Sequence, residues 1–407
     1  MVIFLKKVDI RSKCRVNSNR EIDTFVGLRC NDGDISINFP MGYHISEADN
    51  ELRKDIILLF ATLSANTERK ESELLKKGSS FDEVEFPLQS CMYLIKDFLV
   101  RGYYREEEAL YKVAKTGKIN WNRTIKKQKP YVQDMDVFYL DFVTKKNSVK
   151  ENKLITLIHE YCVYESFERI GWLFTKMMPK KPEIVKPEKL FHSILKEKIA
   201  NTFNDKNRIL FRHMLAIIDF EGDKDSNRNY RYGTYRFEYI WEKMIDKVFG
   251  IENKAEYFPR TTWYVNNNKY DNASLEPDTI MLYGTDVYIL DAKYYKYGIT
   301  GKARDLPEST SINKQITYGE YVANEDKFKK KHGKNIKVYN AFLMPFDALR
   351  NKYPDMLKVG EAVSNWKDNF EEYQKIQGIL IDVKTLMSIN GRQEMKEIEK
   401  LTKLIKT

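Results

Sequence analysis

The chain has 407 residues, 42% hydrophobic and 13% aromatic with only 11 prolines, a composition that excludes a disordered or fibrous protein and suits two or three folded domains. Its 69 basic residues against 59 acidic ones leave a net charge of +10, which favours a polyanionic partner or an anionic surface without singling one out. Cys14, Cys30, Cys91 and Cys162 form no Cys-x-x-Cys pair, which argues against a zinc site or a disulfide framework.

No apolar run approaches the roughly 20 residues that a membrane span needs. The opening MVIFLKKVDI has neither the length nor the order of regions of a signal peptide, so a cytoplasmic protein with no membrane partner is expected.

In chain order, DTFVGLRCNDGDISINFP alternates around Asn31-Asp32-Gly33-Asp34 and predicts a strand hairpin. Ser46-Glu47-Ala48-Asp49 reads as a capping box opening the helix IILLFATLSAN. PLQSCMYLIKDFLV and KLITLIHEYCVYESFERIGWLF have helical length and periodicity, and MDVFYLDFV between them is a strand candidate.

From Ala109 to Gln133 the chain carries cations and aromatics but no acid. Lys118, Trp121, Arg123, Lys126 and Lys127 are the candidates there for contact with DNA phosphates or with a partner's acidic surface. A plain solvated hairpin is the competing reading.

MMPKKPEIVKPEKL, with Pro179, Pro182 and Pro187 among charges, reads as a connector. It divides an α+β N-terminal domain, residues 1–180, from an α/β C-terminal domain, residues 188–407. In the second domain two helices and the polar stretch EGDKDSNRNYRYG precede the helix YRFEYIWEKMIDKVFG. Then follow a strand, a strand hairpin, the helix INKQITYGEYV, the strand KVYNAFLMPF, a polar helix-like segment, the strand GILIDVK and a terminal helix. That order predicts a mixed sheet flanked by helices.

The hairpin LEPDTIMLYGTDVYILDAKYY holds the chemistry. Gly284-Thr285 suits a two-residue type II′ turn, which makes paired positions sum to 569 and sets Asp278 opposite Asp291. Alternation then puts Asp278, Asp291 and Lys293 on one face. Like charges directly opposed across a strand pair repel. A protonated carboxyl would offset that, and a hard divalent cation bridging both does so better, since Mg²⁺ is held by one or two carboxylates plus substrate phosphate. Lys293 beside it can orient or help deprotonate a water, or stabilise charge on phosphorus. The set is suited to phosphodiester hydrolysis. Glu238, on an otherwise apolar helical face with Trp241, Glu242 and Ile245, is a candidate further ligand or neighbour of the metal. Its plainer reading is a pair with Arg236. Gln315 and Tyr318, on the next helix, are candidates to position Lys293 or a phosphate, with a plain hydrogen-bonding role as the competing reading of Gln315.

Pro277-Asp278, twelve intervening residues and Asp291-Ala292-Lys293, with Glu238 before and Gln315 after, resemble the PD-(D/E)XK nuclease core. FEYIWEKMI, KQITYGEYV, GKINWNRT and IHEYCVYESFERIGWLF further resemble the LlaJI family of restriction endonucleases and, more distantly, the McrC nuclease subunit of modification-dependent restriction systems. The resemblance implies a restriction-endonuclease-like fold for the C-terminal domain and Mg²⁺-dependent cleavage of double-stranded foreign DNA. It also implies Asp278 and Asp291 as metal ligands and Lys293 as the catalytic lysine. A partner AAA+ GTPase of McrB type and a cognate DNA methyltransferase follow from the same likeness. The related pattern Gln-x-x-x-Tyr is not kept here, because Tyr318 comes three residues after Gln315.

Two rivals stand beside that reading: a self-sufficient type II endonuclease that reads its own site, and a non-catalytic adaptor that activates a partner GTPase. No G-x-x-x-x-G-K-[ST] loop occurs in the sequence, so a nucleotide-driven step needs another polypeptide. A second Asp-x-Lys set, Asp355 with Asp382-Val383-Lys384, is set aside because the polar segment between its aspartates reads as helical.

Overall fold

In the computed structural model, the described residues are 3–4, 9–20, 23–66, 84–133, 136–149, 154–184, 188–222, 229–333, 335–389 and 393–407. They form a mixed α/β protein whose chain divides into two compact units. One contains residues 1–8 and 84–227, the other residues 9–83 and 228–407. The expected boundary in the Pro179–Pro187 connector is not where the units part. The reason lies in strand pairing: Val26–Asn31 runs antiparallel to Tyr230–Thr234, with Gly27 opposite Gly233. That ladder binds residues near the N-terminus to the C-terminal half. A Cβ on Gly27 would sit 2.2 Å from the Tyr232 carbonyl oxygen, and one on Gly233 2.1 Å from that of Val26, so both positions need glycine for the strands to approach.

The unit containing residues 84–227 is built on the helices Leu88–Arg101, Leu154–Ile170, Glu188–Asn201 and Asp205–Glu221. The first shows why this stretch is helical: Leu88, Cys91, Leu94 and Ile95 recur at helical spacing, and all are buried. Beside them, Phe142–Val149 pairs with both Glu107–Ala114 and Lys118–Ile119.

In the other unit the predicted hairpin forms as Val26–Asn31 and Asp34–Phe39, and Cys14–Val16 runs parallel to the latter. The helix Asp49–Asn66 follows. Ser46 does not cap it as expected. Its backbone N–H donates to Asp55 (2.9 Å) and its hydroxyl accepts from Lys384 (2.8 Å).

The second mixed sheet of this unit carries the predicted site. Its strands are β1 (Thr279–Tyr283), β2 (Asp286–Ala292), β3 (Val338–Phe346), β4 (Met356–Ala362) and β5 (Ile376–Asp382), in the order β1-β2-β3-β5-β4. The pairs β2/β3 and β3/β5 are parallel, and the outer pairs antiparallel. Every residue of β3 is buried, as a central parallel strand covered on both faces must be. Helices α1 (Phe237–Phe249), α2 (Ser309–Asn324) and α3 (Met395–Lys406) pack on the sheet. On the α2 side, Ile280, Val287 and Ile289 meet Tyr318 and Val322. The polar segment before β5 is not helical over its length. Between β3 and β5 lie a short helical turn at Ala348–Asn351, the strand β4 and a wide loop with one short 3₁₀ turn at Glu372–Gln374.

Candidate active site

The hairpin register places the site. Gly284 lies at φ +62°, the left-handed conformation that the first central position of a type II′ turn requires. The pairs run from Tyr283 opposite Asp286 to Thr279 opposite Leu290. One step further along the same register, Asp278 faces Asp291 on the α2 side of the sheet. Asp278 Oδ2 also accepts the Ala292 backbone N–H at 2.9 Å, which anchors the carboxylate at the end of β2.

Lys293 stands just past β2, where its backbone N–H donates to the Leu343 carbonyl of β3 (2.9 Å). Its Nζ lies 2.8 Å from Asp291 Oδ2, with both side chains mostly buried. The root of β1 is held as firmly. Thr279 Oγ1 donates to Asp246 of α1 (3.1 Å), and Lys254 bridges Asp246 (2.8 Å) and the Asp278 carbonyl (2.5 Å).

Burial, then the Asp291 carboxylate, push the Asp278 carboxyl up to about 8, with Glu242 adding to the push. Burial alone would lower the Lys293 ammonium, but Asp291 more than offsets it and the pKa is raised. The pair is therefore an acidic site under mutual repulsion, with one fixed cation at its side.

These positions define what a metal would find. Two carboxylates meet at a partly buried point and repel, which is the donor chemistry a hard divalent cation satisfies. Among the described residues no three His, Cys, Asp or Glu side chains converge into a closed cage. Mg²⁺ keeps several waters and does not require one, so Asp278 and Asp291 fit such an ion as an open site.

Residues 25–363 match the LlaJI restriction endonuclease family. The chain belongs to that family. It is 27% identical over 353 residues, 82% of this chain and 74% of the relative, to the type II restriction enzyme BsuMI component YdjA of Bacillus subtilis strain 168. A chain of the refined half-complex from the tetradecameric assembly of Thermococcus gammatolerans McrB AAA+ hexamers with bound McrC shares 16% identity at a TM-score of 0.37, covering 92% of this chain and 83% of that one. That likeness is too slight to decide fold or partner.

In this LlaJI-family chain the other predicted residues are placed differently. Glu238, at the start of α1, takes its plainer reading and pairs with Arg236 at 2.9 Å, with both side chains well exposed. One turn on, Glu242 is the α1 carboxylate that feels the site. Burial raises its pKa, Asp291 raises it further, and Lys293 opposes. Helical spacing puts both on one face, so the sequence carried the signal for the face but not for which turn.

Gln315 is fully buried and does not reach Lys293. Its Nε2 donates to the Ile289 carbonyl of β2 (2.7 Å) and to Asn340 Oδ1 (3.3 Å), while Asn340 Nδ2 donates to the Gln315 carbonyl (3.1 Å). It fastens α2 to the sheet. Tyr318, one turn on, lies within the field of the site. Burial raises its phenol, Lys314 pulls it back, and Asp291 and Asp278 add to the rise. Lys314, which the sequence did not single out, is exposed and lies over the Tyr318 ring at 5.6 Å.

The set-aside aspartates prove to be opposed as well. The Asp382 N–H donates to the Asp355 carbonyl (2.9 Å) at the end of the β4/β5 pair, because the segment between them is the strand β4 and a loop that returns antiparallel into β5. Their charges are nonetheless committed elsewhere. Asp382 accepts the Thr385 and Ala348 N–H groups, Asp355 pairs with Lys400, and Lys384 with Asp55. Opposed aspartates alone do not make the site: Asp278 and Asp291 also keep their carboxyls in contact with each other, with Lys293 beside them.

In the other unit, Lys118, Trp121, Arg123, Lys126 and Lys127 are all exposed. Asn120 caps the helix Trp121–Lys127, accepting the Arg123 N–H at 3.0 Å. The Arg123 guanidinium lies over the Tyr111 ring at 3.6 Å.

Proposed function

We propose that this chain is the nuclease component of a restriction system, hydrolysing phosphodiester bonds of double-stranded foreign DNA with Mg²⁺. The reading rests on one observation above the rest. Asp278 and Asp291 oppose each other at the end of an antiparallel hairpin whose second strand leads directly into Lys293. The sheet order and that hairpin also support assignment of this unit to the PD-(D/E)XK nuclease fold.

In the mechanism, Asp278 and Asp291 would hold the metal, with Glu242 near enough to act on its surroundings. The ion when bound would supply Lewis-acid polarisation of the phosphate and a lowered pKa for an attacking water. Lys293, kept as an ammonium by Asp291, orients the water and neutralises charge developing on the phosphoryl oxygens. Lys314, beside the Tyr318 phenol, adds positive charge on the α2 side. The helix Trp121–Lys127, with its exposed cations, contacts DNA phosphates or an acidic partner surface.

The relative's description as a component of BsuMI supports a multi-subunit system over a self-sufficient enzyme. The absence of a nucleotide phosphate loop in the sequence assigns any motor step to a partner, for which an AAA+ GTPase of McrB type is the proposed class. A cognate DNA methyltransferase would protect the host. The test is cleavage of unmodified duplex DNA by the purified chain with Mg²⁺, alone and with the GTPase. Asp291→Ala and Lys293→Ala are each expected to lower cutting at least about a hundredfold, and cutting that survives Asp291→Ala would sink the mechanism.

A further inference from the structure

Just before Asp278 the chain makes a two-stranded ribbon, Arg260–Val265 with Asn268–Ser274, that pairs with no other strand among the described residues. Asn266 and Asn267, at φ +50° and +64°, close it in the manner of a type I′ turn. Along both strands only Thr262 and Ser274 are even half-buried. Trp263 pairs with Tyr270 and Tyr264 with Lys269. These aromatics are 64%, 55% and 76% exposed for Trp263, Tyr270 and Tyr264 respectively. A ribbon this short is marginal alone, and exposed aromatics on both faces mark a binding surface.

Three features say what binds there. First, the root of the ribbon is fixed to the candidate active site. The Leu275 N–H donates to the Pro259 carbonyl (2.8 Å), closing the base, and only Glu276 and Pro277 separate Leu275 from Asp278. Six residues of strand reach about 20 Å, a length that matches several nucleotides of a duplex next to a phosphodiester held at Asp278 and Asp291.

Second, the ribbon's net charge of +1 is compatible with a polyanion. Residues 260–274 contain Arg260 and Lys269 against one acid, Asp271. That acid is engaged by Thr262 (2.6 Å) and Lys269 (3.3 Å). Third, the tip and one edge carry Asn266, Asn267, Asn268 and Asn272. An asparagine amide donates and accepts at once, as base edges require. The DNA major groove, about 12 Å wide, admits a two-stranded ribbon.

We infer that Arg260–Ser274 is a duplex-reading arm. It lies in a groove of the DNA beside the cleaved bond, with Trp263 and Tyr270 packed against the sugar edge and the Asn266–Asn268 tip at the bases. The inference rests on the nuclease reading above and adds to it an element that contributes target recognition from within this chain.

The test uses the full-length protein and a fluorescent 40-base-pair duplex, with binding followed by anisotropy without divalent ions. The double variant Trp263→Ser/Tyr270→Ser is expected to weaken binding at least tenfold with an unchanged melting temperature. The variant Asn266→Gly/Asn268→Ala, which keeps the tight turn, is expected to bind within about fivefold of wild type but to level its preferences among duplexes of different sequence. Affinity within twofold of wild type for the aromatic variant overturns the inference, as does absence of duplex binding by the wild-type chain. So does an aromatic variant that keeps duplex affinity but loses self-association or capture of a protein partner. Lys293→Ala, measured in parallel, separates the two readings. If it stops Mg²⁺-dependent cutting while the ribbon variants bind normally, the arm fails and the nuclease stands. If the ribbon variants lose binding and nothing cuts under any condition, the nuclease fails and a DNA-binding arm remains.

Discussion

At the scale of single residues, the site sets two carboxylates against each other and leaves the energetic cost visible in their protonation. Asp278 has a folded pKa of about 8 through burial and Asp291. Below about pH 4, near the ordinary aspartate value, it is protonated in folded and unfolded chains alike. Between there and pH 8 the folded protein holds a proton that the unfolded chain has released, so stability falls as pH rises across that window. Metal-free thermal melts from pH 5 to 8.5 should therefore show a downward slope that Asp278→Asn flattens. Mg²⁺ competes with that proton, and the expected rise in melting temperature on adding it is larger at pH 8.5 than at pH 6 and is reduced in Asp278→Asn. An equal Mg²⁺ shift in wild type and variant would remove Asp278 from the ligand set. The two α1 carboxylates give a second residue-level prediction. Glu242→Gln should cut Mg²⁺-dependent cleavage about 10- to 100-fold, the usual cost of losing a group that supports a metal site. Glu238→Gln, which breaks only an exposed pair with Arg236, should leave it within about threefold, and the reverse order would restore Glu238 to the role expected from sequence.

At the scale of elements, the hairpin was legible because its turn chemistry and its period-2 pattern agree: Gly284-Thr285 set the register, and the register set Asp278 against Asp291. The strand β4 was not legible, since MLKVGEA alternates weakly and sits at the sheet edge, where half-exposed residues dilute the pattern. The Tyr230–Thr234 strand was hidden for a different reason. Its partner lies some 200 residues away, and no local signal reports such a pairing. Gln315 shows a third limit, because a polar side chain on a helix reads alike whether it faces a substrate or a buried carbonyl. Its bonds to Ile289 and Asn340 make it part of the α2 seat, together with Gly319, where a Cβ would stand 2.6 Å from that of Tyr373 and 2.7 Å from Asn340 Nδ2. Gln315→Leu strands a buried carbonyl and an amide, and Gly319→Ala overfills the helix–sheet contact. Each should cost about 1–3 kcal/mol in urea unfolding. If Gln315→Leu melts like wild type yet loses cleavage, the residue acts on the substrate and not on the seat of α2.

At the scale of the whole molecule, the sequence suggested two successive domains, and the chain instead interleaves them. Residues 9–66 belong with 229–407 through the Gly27–Gly233 crossing and through the end of the helix Asp49–Asn66. There Lys247 of α1 donates to the Ala65 carbonyl (2.8 Å) and to Asn66 Oδ1 (2.7 Å). Cutting at the connector therefore does not free a self-contained domain. It removes three strands and a helix whose Leu52, Ile56, Leu59 and Leu63 are buried and leaves the strand Tyr230–Thr234 without its partner. Large apolar losses of this kind cost several kcal/mol each, against a total stability of about 5–15 kcal/mol for a domain. A fragment of residues 188–407 should accordingly show no cooperative thermal transition and no Mg²⁺-dependent change in melting. A chain in which a flexible Gly/Ser linker replaces residues 67–228 keeps every strand of the unit and should melt cooperatively with the Mg²⁺ response retained. A cooperative melt of the 188–407 fragment at the temperature of the full chain would mean that the ladder between Val26–Asn31 and Tyr230–Thr234 adds nothing to the stability of the site.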